Sequence, residues 1–168
     1  MIDEIKSLEK IIKNPQKGLS ENIFLFISRI TPLINVDLFI KDKNKGILLT
    51  WRSRGEKYSE GWHFPGGVIR FRETAAKRVL EVAKNELRAK ILFNKKPILI
   101  NEIILIQRNR SHFISLLYSC TLISKPKIKE GKENYPKPGE YMWHKKCPKN
   151  LIEPHSCYKS LFKFKDFK

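Results

Sequence analysis

A glycine pair and two glutamates at set distances are the residues of this 168-residue chain best placed to do chemistry. Gly66 and Gly67 stand together; Glu73 follows Gly67 by six positions and Glu86 follows it by nineteen. Without a Cβ, a glycine turn lets a backbone carbonyl come close to a ligand. A helix then fixes carboxylates three or four positions apart on one face. That combination suits a hard divalent cation and the phosphate oxygens whose charge it neutralises. A Gly-Gly turn ahead of an amphipathic helix carrying a glutamate is also a common structural arrangement, so the spacing alone leaves both readings open.

The elements that must position these residues are legible from periodicity. From Thr74, a credible N-cap, Ala76, Val79, Leu80, Ala83 and Leu87 recur at helical spacing, which predicts a helix carrying Glu86. Ahead of it, Leu33 to Ile40, a polar turn from Lys41 to Gly46, and Ile47 to Trp51 read as a β-hairpin, and Val68 to Phe71 as a short strand. Pro97 to Gln107 and His112 to Ser124 have strand length and composition, joined by a polar turn from Arg108 to Ser111. Lys125 to Gly139 is a Lys/Pro/Gly loop, Glu140 to His144 a last strand, and His155 to Phe164 a closing helix with Tyr158, Leu161 and Phe162 turned inward. Ile2, Ile5, Leu8, Ile11 and Ile12 predict an amphipathic helix at the start, whereas Ser20 to Ile27 fits a helix or a strand. Residues 1–18 are thus expected to form an added helical segment and residues 19–168 one domain of the α/β (α+β) class on a mixed sheet.

The Gly67, Glu73 and Glu86 spacing resembles the Nudix box, G-x5-E-x7-R-E-U-x-E-E-x-G-U, with U a bulky aliphatic residue. The box is degenerate here: Glu81 stands for its Arg, Val82 for the next Glu, Asn85 for the first of the paired Glu residues and Arg88 for the second Gly. Flanking stretches resemble one Nudix branch, the GDP-mannose mannosyl hydrolases, in which the box is naturally depleted. They are Thr31 to Ile40, Leu48 to Arg52, His63 to Gly67, Arg72 to Thr74 and Asn85 to Arg88, and Asp37 precedes Arg52 by fifteen positions as in that branch. His112 to Leu116 and the helix headed by His155 extend the likeness over about residues 31–165.

This resemblance implies a Nudix-type α/β/α sandwich and a Mg2+- or Mn2+-dependent hydrolase of nucleotide sugars, acting as a homodimer. Gly66 would offer its carbonyl and Glu86 its carboxylate to the metal, with Gly67 and Glu73 shaping the loop. Arg52 would stabilise the departing nucleoside diphosphate, and Asp37 and His112 would line the same pocket. In that branch water attacks the anomeric carbon, and a Gln and a base His stand in the loop before the last strand. The aligned positions hold Lys137 and Pro138, which makes Glu140 the candidate replacement as ligand or base, with His144 and His112 behind it. Plain readings stand beside these: Arg52 as a solvated charge, Asp37 as a hairpin cap, His112 as a core histidine, Glu81 as the loss of the box's ion pair, and the three tryptophans and Cys120 as core.

Composition bounds the rest. An apolar fraction of 41% and 30% charged residues suit one globular core, and the longest apolar run, Ile23 to Ile27, is too short to span a bilayer. Three cysteines with no C-x-x-C spacing, and no secretory pattern at the N-terminus, fit the cytoplasm. The 34 Lys+Arg against 17 Asp+Glu leave a net charge of +17. That field attracts polyanions, but coding bias towards Lys, Ile and Asn explains it as well, and no basic-aromatic recognition motif accompanies it. Nucleotide-sugar hydrolysis is therefore the leading expectation. A nucleotide-binding Nudix fold with a failed site comes second, and a nucleic-acid-binding module third.

Overall fold

The computed structural model describes residues 2–53, 60–106, 109–132 and 135–163. Gln107, Arg108 and Phe164, expected in a strand, a turn and the closing helix, lie outside them. Two N-terminal helices, α1 (Ile2–Ile11) and α2 (Glu21–Ile30), lead into the hairpin of β1 (Leu33–Asp42) and β2 (Gly46–Arg52). Then come β3 (Gly61–His63), β4 (Gly66–Val68), α3 (Ala75–Val82), β5 (Ile91–Phe93), β6 (Leu99–Ile104), β7 (His112–Leu122), β8 (Tyr141–His144) and a terminal 3₁₀ helix, Glu153–Phe162. Among the described residues no helix is long and apolar enough to cross a membrane.

The sheet is mixed, as expected. β1 runs parallel to β7 from Leu33↔Phe113 to Ile40↔Cys120, a pairing of strands far apart in sequence that buried Val36, Leu38 and Ile40 of β1 and Phe113, Leu117 and Tyr118 of β7 stabilise. Side chains alternate along β1: Val36, Leu38 and Ile40 pack with Val79, Val82 and Leu87 of the α3 side, while Phe39 meets Tyr158 and Leu161 of the terminal helix in the opposite layer. The α/β/α sandwich is therefore present, with the terminal 3₁₀ helix as its second outer layer.

The feature that makes the site is a split in the sheet. β1 and β2 pair only beside their turn, at Lys41↔Ile47 and Asp42↔Gly46. Beyond it they diverge, β3 following β2 and β4 following β1, so that residues His63 to Gly66 bridge the gap. Leu38 N–H donates to the Pro65 carbonyl at 2.8 Å and pins that bridge.

Several expectations need adjustment. Ser20 to Ile27 resolves as helix, but α1 buries none of its residues, so its apolar stripe faces solvent. The strand expected at Val68 to Phe71 is displaced to Gly66–Val68, because Phe71 and Arg72 turn the chain into α3, with Arg72 at φ 55°. The three-residue β5 was not anticipated; a strand that short has no readable period.

Candidate functional site

Two hollows open on the split. The first, about 80 Å³, is lined by Asp37, Asn35, His63, Phe64, Gly66 and His155 among others. The second, about 490 Å³, is lined by Thr50, Glu86, Asn85, Arg88, Pro138 and Gly139. Arg52 and His63 line both, so the hollows form one cleft with a guanidinium and an imidazole at their junction.

Glu86 reaches the cleft because α3 ends in a wide turn. Thr74 caps the helix by accepting from Lys77 N–H at 3.2 Å, and from Ala83 to Leu87 the chain winds as a single π-helical segment. Arg88 closes it in the left-handed conformation, φ 49°, at the position where the Nudix box has glycine. Oε1 of Glu86 accepts the Gly66 N–H at 3.3 Å; Oε2 accepts Thr50 Oγ1–H at 3.4 Å and lies 3.5 Å from His63 Nε2. The structure brings Gly66 beside Glu86, and it is the Gly66 N–H that meets the carboxylate. A Cβ at Gly66 would sit 2.9 Å from the Val36 carbonyl oxygen and overlap Asp37, so glycine is required for the close approach of β4 to β1.

His63 is the central residue that sequence reasoning left unassigned. Its Nε2 is 3.2 Å from Thr50 Oγ1, which itself donates to Glu86. Nε2 therefore carries the hydrogen and Nδ1 is a bare acceptor, buried and without a hydrogen-bond partner among the described residues. The only signal in sequence was its place before Phe64-Pro65-Gly66-Gly67.

On the other side of the sheet, Asp37 is the hub of a buried polar cluster. Its Oδ2 accepts from Ser115 Oγ–H in a very short contact, from Tyr158 Oη–H at 3.1 Å and from Asn35 Nδ2–H at 3.1 Å. Burial pushes its carboxyl up to about 6 despite those three donors. His155 Nδ1 accepts the Phe64 N–H at 3.0 Å, which puts its hydrogen on Nε2, 3.7 Å from Asp37 Oδ1. Burial drives His155 far below the usual imidazole range and holds it neutral. Ser115, Tyr158 and His155 lie 78, 121 and 118 positions from Asp37, and only the fold joins them.

Two predicted residues are not brought into the cleft. His112 was expected beside Asp37, but Asp37 registers with Leu117, five residues along β7 and roughly 17 Å from His112 by strand rise. Phe113, Ser115 and Leu117 share the inner face; His112 has the opposite parity, and its Nε2 meets Glu102 at 3.1 Å. Glu140 was expected as metal ligand or base. Its carboxylate instead accepts the Lys137 N–H at 2.9 Å and lies 3.2 Å from Lys129 Nζ, groups that hold it below the usual carboxylate range, and it lines neither hollow. Pro138, aligned with the branch's base histidine, does line the Glu86 hollow.

Glu73 lies at the join of loop and helix. It accepts the Arg70 N–H at 3.0 Å and two Arg78 guanidinium N–H groups at 2.8 and 2.5 Å; burial raises its pKa, but these donors bring it below the ordinary value. The ion pair that Glu81 was expected to abolish is thus supplied by Arg78, one helical turn earlier.

For a divalent cation, the cleft offers the Glu86 carboxylate, which the Gly66 N–H already meets; among the described residues no three His, Cys, Asp or Glu side chains cluster as a ready-made metal site. That set fits Mg2+, which keeps waters and accepts one or two carboxylates when substrate phosphates complete its sphere.

No family model and no curated protein matches the sequence. Solved structures do match. A MutT protein from Methanosarcina mazei Go1 is 16% identical with a TM-score of 0.61, over 79% of this chain and 94% of that one. This chain has the Nudix fold. A NUDIX-family hydrolase from Clostridium perfringens is 17% identical, TM-score 0.54, over 79% and 97% of the two chains. A UDP-X diphosphatase is 16% identical, TM-score 0.54, over 96% of this chain and 76% of that one.

Proposed function

We propose that this chain is a Mg2+-dependent hydrolase of nucleoside diphosphate sugars of the GDP-mannose or GDP-glucose type, releasing nucleoside diphosphate and free sugar. The observation that carries this reading is the junction: Arg52 and His63 line both hollows, between Glu86 on one side and Asp37 on the other. Glu86 and Gly66 would hold the ion, which supplies charge neutralisation at the phosphate oxygens. The Arg52 guanidinium matches the diphosphate and stabilises the charge that builds on it as the bond from anomeric carbon to oxygen breaks. With Pro138 at the aligned base position, His63, whose Nε2 meets Thr50 and Glu86 at the junction, is the imidazole left to accept the proton of the attacking water. Asp37 and Asn35 accept sugar hydroxyl groups in the smaller hollow.

The test is product analysis after incubating the pure protein with Mg2+ and a panel of GDP-, UDP- and dTDP-sugars. Free sugar plus nucleoside diphosphate is expected, with Glu86→Gln and His63→Asn each lowering kcat by about 10²-fold. Sugar phosphate plus nucleoside monophosphate would move the attack to phosphorus, and unchanged turnover in Glu86→Gln would overturn the site assignment. A second reading rests on Pro138: a fold that binds nucleotide sugars without cleaving them, which saturable binding without product would establish.

The same proposal includes a homodimer in the cytoplasm. The outer strand β6 leaves Ile100 and Ile104 exposed, which supports an association edge, and Cys120, Cys147 and Cys157 are free thiols, as a reducing compartment requires.

A further inference from the structure

Three arginines, Arg52, Arg88 and Arg110, line the cleft, which leaves most of the chain's positive charge unexplained. Much of that charge comes from segments distant in sequence, which is why no basic motif is readable, and the fold gathers them at one end of the sheet. Pairing of Ile47 with His144 lays the β1–β2 turn against the end of β8. Lys43, Lys145 and Lys163 then line a hollow of about 350 Å³. Lys145, Lys146 and Lys149 line an adjoining one of about 820 Å³. His144 and Lys145 belong to both, so the two adjoin at the end of β8. Lys45 adds a sixth exposed ammonium, 5.6 Å from the ring centre of the half-buried Trp143. Among the described residues Asp42 is the one acid lining either hollow, and its Oδ1 is engaged by the Asn44 and Lys45 N–H groups of the turn.

Ammonium groups crowded this way repel one another, and a partner carrying regularly spaced negative charge relieves that repulsion. None of the large apolar side chains exposed elsewhere on the molecule lies on this face, so it offers nothing to insert into a lipid surface. A concave basic track with an aromatic ring beside it suits a phosphodiester chain with unstacked bases. We propose that this face binds single-stranded nucleic acid through its phosphate backbone. It lies at the Gly46 end of β2, six residues and about 20 Å from Arg52 at the other end, and it does not depend on the cleft chemistry.

The test is fluorescence anisotropy of a labelled 20-nucleotide single strand with the full chain between 50 and 200 mM salt. Six ammonium contacts predict a log–log salt slope of about −4 and a loss of affinity of more than 10²-fold across that range. Lys43→Glu/Lys145→Glu/Lys149→Glu should weaken binding at least tenfold, whereas Lys84→Glu/Lys95→Glu/Lys96→Glu, equal in charge but on other surfaces, should weaken it less than threefold. If the first variant fails to fold, Lys145→Gln/Lys149→Gln should still flatten the slope by about one. Equal losses in the two charge-reversed variants would show a net-charge effect and overturn the proposal. So would binding to phosphatidylserine vesicles in the absence of oligonucleotide binding.

Discussion

Asp37 shows how one residue can serve a site at the expense of the fold. A carboxyl raised from 3.8 to about 6 holds its proton more tightly in the folded than in the unfolded chain. It favours folding below pH 4, and that contribution disappears as pH rises through 6, an effect of about 3 kcal/mol. Asp37→Asn should therefore abolish turnover while raising Tm relative to the native chain increasingly from pH 4 to 6, and by a constant amount above; thermal melts across pH would read this. His144 has the opposite sign. Burial lowers it from 6.5 to about 4, and its Nε2 has no partner among the described residues, so stability is lost as pH falls from 6.5 to 4. His144→Phe, keeping a ring against Trp62 4.6 Å away, should gain up to about 3 kcal/mol at pH 4 and little at pH 8. The fifteen-residue spacing of Asp37 and Arg52 was readable because both lie on one hairpin. Ser115, Tyr158 and His63 were not, because a serine in a strand or a tyrosine on an apolar helix face looks like packing until the strand order is known.

The elements show substitutions at one position answered at another. Arg78 replaces the ion pair that Glu81 cannot make, and both Arg78 and Glu73 are nearly buried, at 7% and 8% side-chain exposure. Arg78→Ala should cost about 3 kcal/mol by leaving a buried carboxylate unpaired, read as a fall in the urea midpoint. Arg88 keeps the left-handed turn without glycine, at a conformational cost of about 1 kcal/mol. Arg88→Gly should recover that stability and weaken nucleotide binding, since the arginine lines the Glu86 hollow; calorimetry and titration would separate the two. The helix beginning at Thr74 and the β1–β2 hairpin were legible from period and cap. The π turn was not, because Val79, Val82 and Glu86 fit the ordinary helical period as well.

At the scale of the whole molecule, the first helix adds little burial of its own. Since α1 buries no residue, deleting residues 1–13 should lower Tm by less than 2 °C and leave turnover intact. The charge of +17 was legible as a number, but its gathering at one end of the sheet was not, because that depends on β2 pairing with β8. The Asp37 cluster also sets an order in time. Its acceptor is at position 37 and its last donor at 158, so at roughly 5–20 residues per second a ribosome needs about 6–24 s after making the carboxylate to supply its final partner. Until then the nascent hairpin carries an aspartate that favours water over the core. The cluster is therefore complete only once Tyr158 has been made.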